Sequence, residues 1–400
     1  MMASNILSAQ VPFHRAAVGE EEISAVAEVI RSGWLTMGAK TFQFEQEFAR
    51  YVGAPCALAV SSCTAALHLA LEAIGLQPGD EVLIPTTTFT ATAEVVTYFG
   101  ARPVLVDVDP ATMNIDPADA RRRVTPRTKA IIPVHFAGQP CDMEEVIALS
   151  ESHGLRVIED AAHALPASYR NRLIGSICEF TAFSFYATKT LSTGEGGMIT
   201  TTNERCAERM KMMRLHGISC DAWNRYSSEG SWRYDVQGAG YKYNLTDLQA
   251  AIGLVQLAKC DAMCAARRRI AERYDAAFSR NPALQIPTVR NDRQSSWHLY
   301  ILRLRPQILG FGRDEFMAAL KACGIGTSVH FIPLHLHSYY QRSFGYRRGD
   351  FPNAEAQYDR CLSLPIFPSM REEDVERVID AVEEVCQVRQ NRSVGVSHAR

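Results

Sequence analysis

Between residues 56 and 215, short apolar runs alternate with stretches of helical periodicity, and this alternation limits the folds open to the chain. The apolar runs are Cys56–Val60, Glu81–Ile84, Pro103–Val108, Ala130–Val134, Arg156–Ile158, Phe180–Phe185 and Gly197–Thr200. The stretches with helical periodicity are Ala65–Ile74, Thr90–Phe99, Pro117–Val124, Met143–His153 and Asn203–Leu215. Because strands that are joined by helices form a mainly parallel sheet, the pattern predicts an α/β domain.

The rest of the chain predicts a second, smaller domain. A long helix is expected from Leu245 to about Tyr274, and the pattern after it is that of a smaller α+β segment. The expected elements of that segment are a strand at Trp297–Leu304, a helix at Arg313–Cys323, a strand-like run at Gly326–Phe331 and a closing helix at Glu372–Val388. We therefore predict a large domain over residues 12–255, a small C-terminal domain over 256–388 and a mobile tail over 389–400.

Charge and composition argue against several classes of partner. Lys and Arg number 42 against 44 Asp and Glu, so the formal charge of −2 provides no basic field for nucleic acid or an anionic membrane. No apolar stretch reaches transmembrane length, and the first ten residues lack the pattern of a secretion signal, which favours a cytoplasmic protein. The histidines lack a matching set of zinc ligands, so we expect no metal.

Three loops that directly follow predicted strands carry reactive or polar residues. Ser61-Ser62-Cys63-Thr64 opens a helix, and helix N-termini with hydroxyl side chains bind anions, although capping alone would need only one such residue. Asp160 follows a strand and precedes His163 by three positions, where it too could be a capping residue. Because ligands bind outside the carboxyl ends of parallel strands, the chemistry is expected in these loops.

The third loop, Ser184 to Met198, holds a single lysine among small, aromatic and hydroxyl residues. Lys189 stands just before the turn Gly194-Glu-Gly-Gly197, whose glycines allow close approach of the backbone. A desolvated amine loses part of its preference for the protonated form and can condense with a carbonyl. On its own, however, a lysine beside a glycine tract is more often a solvated loop residue.

Four segments in order carry a specific resemblance. They are Ser62-Cys-Thr-Ala-Ala-Leu67, Val157-Ile-Glu-Asp-Ala-Ala-His-Ala164, Ser184-Phe-Tyr-Ala-Thr-Lys-Thr190 with its glycine turn, and Gly240-Tyr-Lys-Tyr-Asn-Leu-Thr-Asp-Leu-Gln-Ala-Ala-Ile-Gly253. Together they resemble the DegT/DnrJ/EryC1/StrS family of sugar aminotransferases, which depend on pyridoxal phosphate (PLP). The resemblance implies an aspartate aminotransferase-like fold (PLP fold type I) and a homodimer with both active sites at the interface.

The resemblance also implies roles for individual residues. Lys189 would form the Schiff base with PLP, Asp160 would keep the pyridine nitrogen protonated, and His163 would pack on the ring. Ser62, Cys63, Thr64 and Ser184 would bind the cofactor, with Thr64 and Ser184 holding its phosphate, and Asn244 would reach that phosphate from the partner subunit. Relatives usually carry glycine at the position of Cys63, which raises a question about the local backbone conformation.

For the substrate, the segments around Leu215–Ala222 and Gly240–Asp247 resemble members that aminate C4 of nucleotide-linked 4-keto-6-deoxy sugars with L-glutamate as donor. His216 lies in the first of these segments and is a candidate substrate residue. His330 is another, because it resembles a family residue near the sugar nucleotide, and a structural role for His330 is an equal alternative. Amination of a 3-keto sugar or a keto-cyclitol on the same scaffold remains open. A catalytically silent binding or regulatory protein is the alternative from another class, and retention of Asp160 and Lys189 argues against it.

Overall fold

A seven-stranded sheet forms the centre of the large domain. The computed structural model describes residues 10–218 and 234–396, with side chains to residue 387. The first strands are β1 (Cys56–Val60), β2 (Glu81–Pro85), β3 (Arg102–Val106), β4 (Thr128–Ile131), β5 (Arg156–Asp160), β6 (Ser168–Tyr169), β7 (Arg172–Leu173), β8 (Phe180–Ser184) and β9 (Gly197–Thr201). The sheet order is β1-β9-β8-β5-β4-β2-β3, and β9 alone runs antiparallel to its neighbours in this sheet. The predicted α/β domain is confirmed.

Helices cover both faces of this sheet. They are α1 (Glu20–Ser32), α2 (Ala39–Val52), α3 (Cys63–Ala73), α4 (Ala91–Thr97), α5 (Pro117–Arg123), α6 (Met143–His153), α7 (Glu204–Met213) and α8 (Asp247–Phe278). Local sequence sets several of their ends: the Ser62 hydroxyl caps α3, and Gly154 ends α6 with φ 67°. Buried apolar side chains fill one core on each face of the sheet. Because β2, β3, β4, β5 and β8 are parallel, their carboxyl ends all lie at the same edge of the sheet.

The small domain has its own core around a three-stranded antiparallel sheet, β10-β12-β13. The remaining elements are β10 (Leu284–Gln285), β11 (Arg293–Gln294), β12 (Tyr300–Leu304), α9 (Pro306–Leu309), α10 (Arg313–Ala322), α11 (Ser338–Phe344), α12 (Pro352–Tyr358), β13 (Cys361–Leu364) and α13 (Glu372–Val396). Helix α8 joins the two domains: Leu257 packs in the large core, and Phe278 packs in the small one. The boundary predicted at residues 255 and 256 thus falls inside a continuous helix and stays a prediction.

Three predictions for the small domain differ from the structure, and one of them is the strand expected from Trp297, which begins at Tyr300. The expected strand Gly326–Phe331 is wrong: this region makes isolated bridges only, from Ile325 to Val11 and from Ser328 to Ser363. At Gly326, a Cβ would lie 2.6 Å from the Phe13 nitrogen, so the two segments approach each other closely at this point. The closing helix continues to Val396, beyond the predicted end at Val388.

No helix in the described ranges is both long and apolar enough to cross a membrane. Among the same residues, no group of three or more His, Cys, Asp or Glu side chains is placed to hold a metal ion.

Candidate active site

One pocket, with a volume of about 510 Å³, lies at the carboxyl ends of β5 and β8 and beside the N-terminus of α3. The predicted site residues that line it are Ser62, Cys63, Thr64, Asp160, His163, Ser184, Lys189 and His330. Asn244 and His216 do not line it in this chain. Residues from four distant parts of the sequence are therefore brought to one place, which we call the main pocket.

Lys189 lies in the turn that follows β8, where its backbone N–H donates to the Tyr186 carbonyl at 2.8 Å. Burial lowers the pKa of its amine to about 8, against the opposing influence of Cys63 and Asp160. Position 197 of the glycine turn requires glycine for a steric reason, because a Cβ there would lie only 2.5 Å from the Ser62 carbonyl carbon. Lys189 is thus a desolvated amine with a larger neutral fraction at physiological pH than an exposed lysine has.

Asp160 is the last residue of β5 and is buried. One carboxylate oxygen accepts from the Thr92 hydroxyl at 2.8 Å, and the other accepts from the Ala162 N–H at 3.1 Å. Burial raises the pKa of this carboxyl, while those two hydrogen bonds and the nearby Lys189 oppose the rise. A cationic group placed against Asp160 would therefore gain a buried and oriented negative partner.

Thr92 is a site residue that the sequence analysis missed. It lies on α4 and lines the main pocket, and its hydroxyl also contacts that of Thr88 at 2.8 Å. The signal was present in Pro85-Thr-Thr-Thr-Phe-Thr-Ala-Thr92, a hydroxyl-rich segment directly after β2. We infer that Thr92 fixes the direction of the Asp160 carboxylate.

Replacing Thr92 with valine is expected to lower kcat/KM about 10- to 100-fold, since a hydrogen bond to a charged group contributes roughly 1.5–3 kcal/mol. Steady-state kinetics would measure the loss. The matched control is Thr97→Val on the same helix, because the Thr97 hydroxyl donates to the Glu94 carbonyl of that helix and Thr97 does not line the main pocket. Equal activity of the two variants would show that Thr92 has no part in orienting Asp160.

The His163 ring is buried and lies near two other rings. It lies 5.8 Å from the Phe331 ring at an interplanar angle of 20°, and 4.4 Å from the His298 ring. Burial, with Lys189 next in effect, holds the pKa of His163 well below its usual value, so the imidazole is neutral. Its Nδ1 has no hydrogen-bond partner among the described residues. A neutral ring at this wall can pack flat against a planar ligand.

The corner Ser62-Cys63-Thr64 lies at the N-terminus of α3, where the first N–H groups have no partner within the helix. The Ser62 Oγ accepts from the Ala65 N–H at 3.1 Å, and Ser184, at the end of β8, lines the same pocket. Cys63 is the first residue of α3 and does not have a positive φ, so no glycine is needed there. The corner has the features of an anion site.

Asn244 and His216 lie elsewhere. Asn244 forms an isolated bridge with Val60, and its side-chain Nδ2 donates to the Leu245 carbonyl at 3.3 Å. His216 is exposed, with φ 61°, and its backbone N–H donates to Tyr241. Residues 219–222 of the segment that suggested a 4-keto sugar lie outside the described residues.

Comparison with known proteins identifies the family. The model of the DegT/DnrJ/EryC1/StrS aminotransferase family matches residues 16–383. The chain belongs to this family. It is 53% identical to the spore coat polysaccharide biosynthesis protein SpsC of Bacillus subtilis over 94% of this chain and 97% of the relative.

Solved structures of family members have the same fold. The PLP form of the sugar aminotransferase Spr1654 from Streptococcus pneumoniae superposes with a TM-score of 0.88 at 32% identity, covering 95% of this chain and 99% of that one. PseC of Helicobacter pylori, an aminotransferase involved in pseudoaminic acid biosynthesis, matches with a TM-score of 0.88 at 28% identity, over 95% of this chain and 100% of PseC. The chain is accordingly a sugar aminotransferase of PLP fold type I, and PLP is its cofactor.

Proposed function

We propose that this aminotransferase moves the amino group of L-glutamate to C4 of a nucleotide-linked 4-keto-6-deoxy sugar. The observation that carries the proposal is the meeting of Lys189, Asp160 and His163 in one pocket beside the α3 N-terminus. The choice of C4 rests on the segment Gly240–Asp247. A role in polysaccharide biosynthesis is consistent with the name of the SpsC relative, and a cytoplasmic location is proposed from the sequence alone.

The residues present fit PLP, a planar aldehyde with a phosphate and a ring nitrogen. The Ser62–Thr64 corner and Ser184 would hold the phosphate, Asp160 would face the ring nitrogen, and His163, whose Nδ1 lacks a partner, would pack on the ring. When bound, PLP supplies an electron sink for the carbon that exchanges its amino group. A buried carboxylate favours the protonated ring nitrogen, so Asp160 would strengthen that property.

Lys189 would serve two purposes. Its neutral Nζ would anchor the cofactor aldehyde covalently until the amino donor displaces it. Once free, the same amine would take the proton from the donor Cα and deliver it to C4′ of the cofactor. In the second half of the reaction, with the keto sugar, the amine would return a proton in the reverse direction.

The pKa of Lys189 predicts how cofactor attachment depends on pH. Only the neutral amine attacks an aldehyde, so the rate of PLP attachment to the apoprotein should rise about tenfold per pH unit and level off above the pKa. We expect the plateau to begin near pH 8, the value to which burial lowers this amine. The covalently attached cofactor absorbs visible light, and stopped-flow measurement of that absorbance band gives the rate. A rate that keeps rising up to pH 10.5, the ordinary pKa of a lysine amine, would contradict a desolvated amine.

We also propose a homodimer in which Asn244 of one subunit completes the phosphate site of the other. A mixture of Lys189→Ala and Asn244→Ala subunits provides the test. If each site combines Lys189 of one subunit with Asn244 of the other, a mixed dimer contains one intact site, and its activity exceeds that of both parents. Activity that never exceeds the better parent, or a fully active protein of monomeric mass by light scattering, would oppose this assembly.

The substrate is tested by separating the two half-reactions. L-Glutamate is first added to the PLP-loaded protein until the visible absorbance band of the cofactor is lost, which we call bleaching. The desalted protein is then mixed with UDP-, dTDP- or GDP-linked 4-keto sugars, 3-keto sugars or keto-cyclitols. Recovery of the visible band with one 4-keto nucleotide sugar is the expected result. Recovery only with a 3-keto sugar or a cyclitol would replace the proposed substrate, and absence of bleaching would reject glutamate as the donor.

A further inference from the structure

A smaller cavity, which we call the side chamber, adjoins the main pocket. Its volume is about 190 Å³, more than a carboxylate group needs. Tyr186, Thr188, His298 and His330 line both cavities, and His14 is among the residues that line the side chamber alone. A ligand in the main pocket could therefore extend one arm into the side chamber.

The buried cation Arg267, on α8, lies behind the wall of the side chamber. Its side chain is 1% exposed, and its Nη1 donates to the carbonyl of Ile366, a chamber residue, at 3.4 Å. Its Nε has no hydrogen-bond partner, and no carboxylate lies within 4.0 Å of the guanidinium, among the described residues. Burial lowers the pKa of Arg267 to about 10, so the group stays charged near neutral pH.

Other buried arginines of the described chain have the partners that Arg267 lacks. Arg214 pairs with Glu45, and Arg293 pairs with Asp142 and Asp292. Arg303 has no carboxylate, but it donates to three carbonyls and the Thr288 hydroxyl. A buried charge is costly without an anion or a full set of acceptors. Arg267, with one long hydrogen bond, is therefore the buried arginine for which a missing anion is the simplest explanation.

Among the described residues, those that line the side chamber include hydrogen-bond donors and no acid. The His298 ring is buried, its Nδ1 has no partner in the described ranges, and His330 Nδ1 lies 2.7 Å from the Ser363 hydroxyl. Burial is the largest cause that lowers the pKa values of both rings, and Arg267 lowers that of His298 further. The acidic residues Asp160 and Glu195 line the main pocket only. An anion in the side chamber would thus find imidazole donors and a positive field without a repelling carboxylate.

We propose that the side chamber binds a carboxylate of the amino donor, with His298 as a direct contact and the Arg267 charge behind it. This inference rests on the proposed function, because only an amino acid donor brings a carboxylate to the reaction. A donor whose amino group reaches the main pocket near Lys189 would then place its carboxylate where the two cavities join. The keto sugar has no such group, so the side chamber should serve one half-reaction only.

The test compares Arg267→Met with Arg269→Met in the PLP-loaded protein. Arg269 is exposed on the same helix, so its replacement removes the same charge from solvent rather than from the core. The probe is glutarate, a dicarboxylate that can neither give nor receive an amino group, measured by calorimetry. We expect Arg267→Met to weaken glutarate binding at least about tenfold, as loss of a charged partner does. Arg269→Met should bind like the parent protein.

Kinetics provide a second readout. Arg267→Met should raise the glutamate concentration needed for half-maximal bleaching and leave the second half-reaction with the keto sugar unchanged. Unchanged glutarate binding, or equal damage to both half-reactions, would overturn the proposal. If Arg267→Met does not fold, His298→Phe carries the test, because it keeps a ring against His163 and removes the donors. Failure of the proposed function is distinguishable, since the parent protein would then not bleach with glutamate at all.

Discussion

Lys189→Ala is expected to lower turnover by at least about 10⁴-fold, the upper range for the loss of one general acid–base group. The loss should exceed that of any other single replacement, because the variant removes both the covalent anchor and the group that moves the proton. The main pocket keeps its other residues, so the variant should still bind PLP without covalent attachment. Single-turnover absorbance with L-glutamate measures the effect.

The control for this variant is Lys129→Ala, an exposed lysine on β4, which should keep full activity. Added methylamine provides a further check, because a small amine can enter the space left by Lys189 and restore part of the proton transfer. Turnover of Lys189→Ala within tenfold of the parent protein would show that another group does this chemistry.

Asp160→Asn is expected to lower kcat roughly 10²–10³-fold, comparable to the loss of one preorganised electrostatic group in an active site. Asparagine keeps the shape: its Oδ1 can accept from the Ala162 N–H, and its Nδ2 can donate to the Thr92 hydroxyl, so the change is mainly one of charge. Without the carboxylate, the ring nitrogen of PLP loses its anionic partner and its preference for the protonated form. The proton-transfer step should slow, while PLP affinity falls much less.

Asp359→Asn is the matched control, since Asp359 is exposed and lies outside the main pocket. Its Oδ2 lies 3.6 Å from Nη1 of Arg348, so it is also a carboxylate near a cation. It should match the parent protein in kcat and PLP affinity. An Asp160→Asn protein with unchanged kcat would mean that the ring nitrogen does not face this carboxylate.

Elements fixed by local pattern were predictable from the sequence. Strand Cys56–Val60 and helix Met143–His153 have the predicted bounds, because an apolar run defines the first and Gly154 ends the second. The bounds of other elements were less predictable, because they depend on the local backbone conformation or on distant partners. The predicted strand from Trp297 begins only at Tyr300, because Trp297 has φ 51°, which is incompatible with a strand.

The candidate site divides in the same way. Lys189 and Asp160 stand directly after or at the end of strands, so topology alone places them at one edge of the sheet. The hydroxyl-rich segment after β2 marked Thr92 only as one of several hydroxyls, because its contact with Asp160 spans 68 positions. His298 and Arg267 had no signal in the sequence, because their significance lies in polar atoms without a partner among the described residues. Asn244 does not line the main pocket of its own chain, because its proposed role lies in the site of the partner subunit.

The most direct test of the central claim is reduction of the PLP-loaded protein with borohydride, followed by peptide mapping by mass spectrometry. Borohydride fixes the cofactor to the amine that carries it. We predict the cofactor mass on the peptide containing Lys189, with no label in Lys189→Ala. Label on a different lysine of the parent protein, or none, would contradict the assignment of Lys189 and the mechanism built on it.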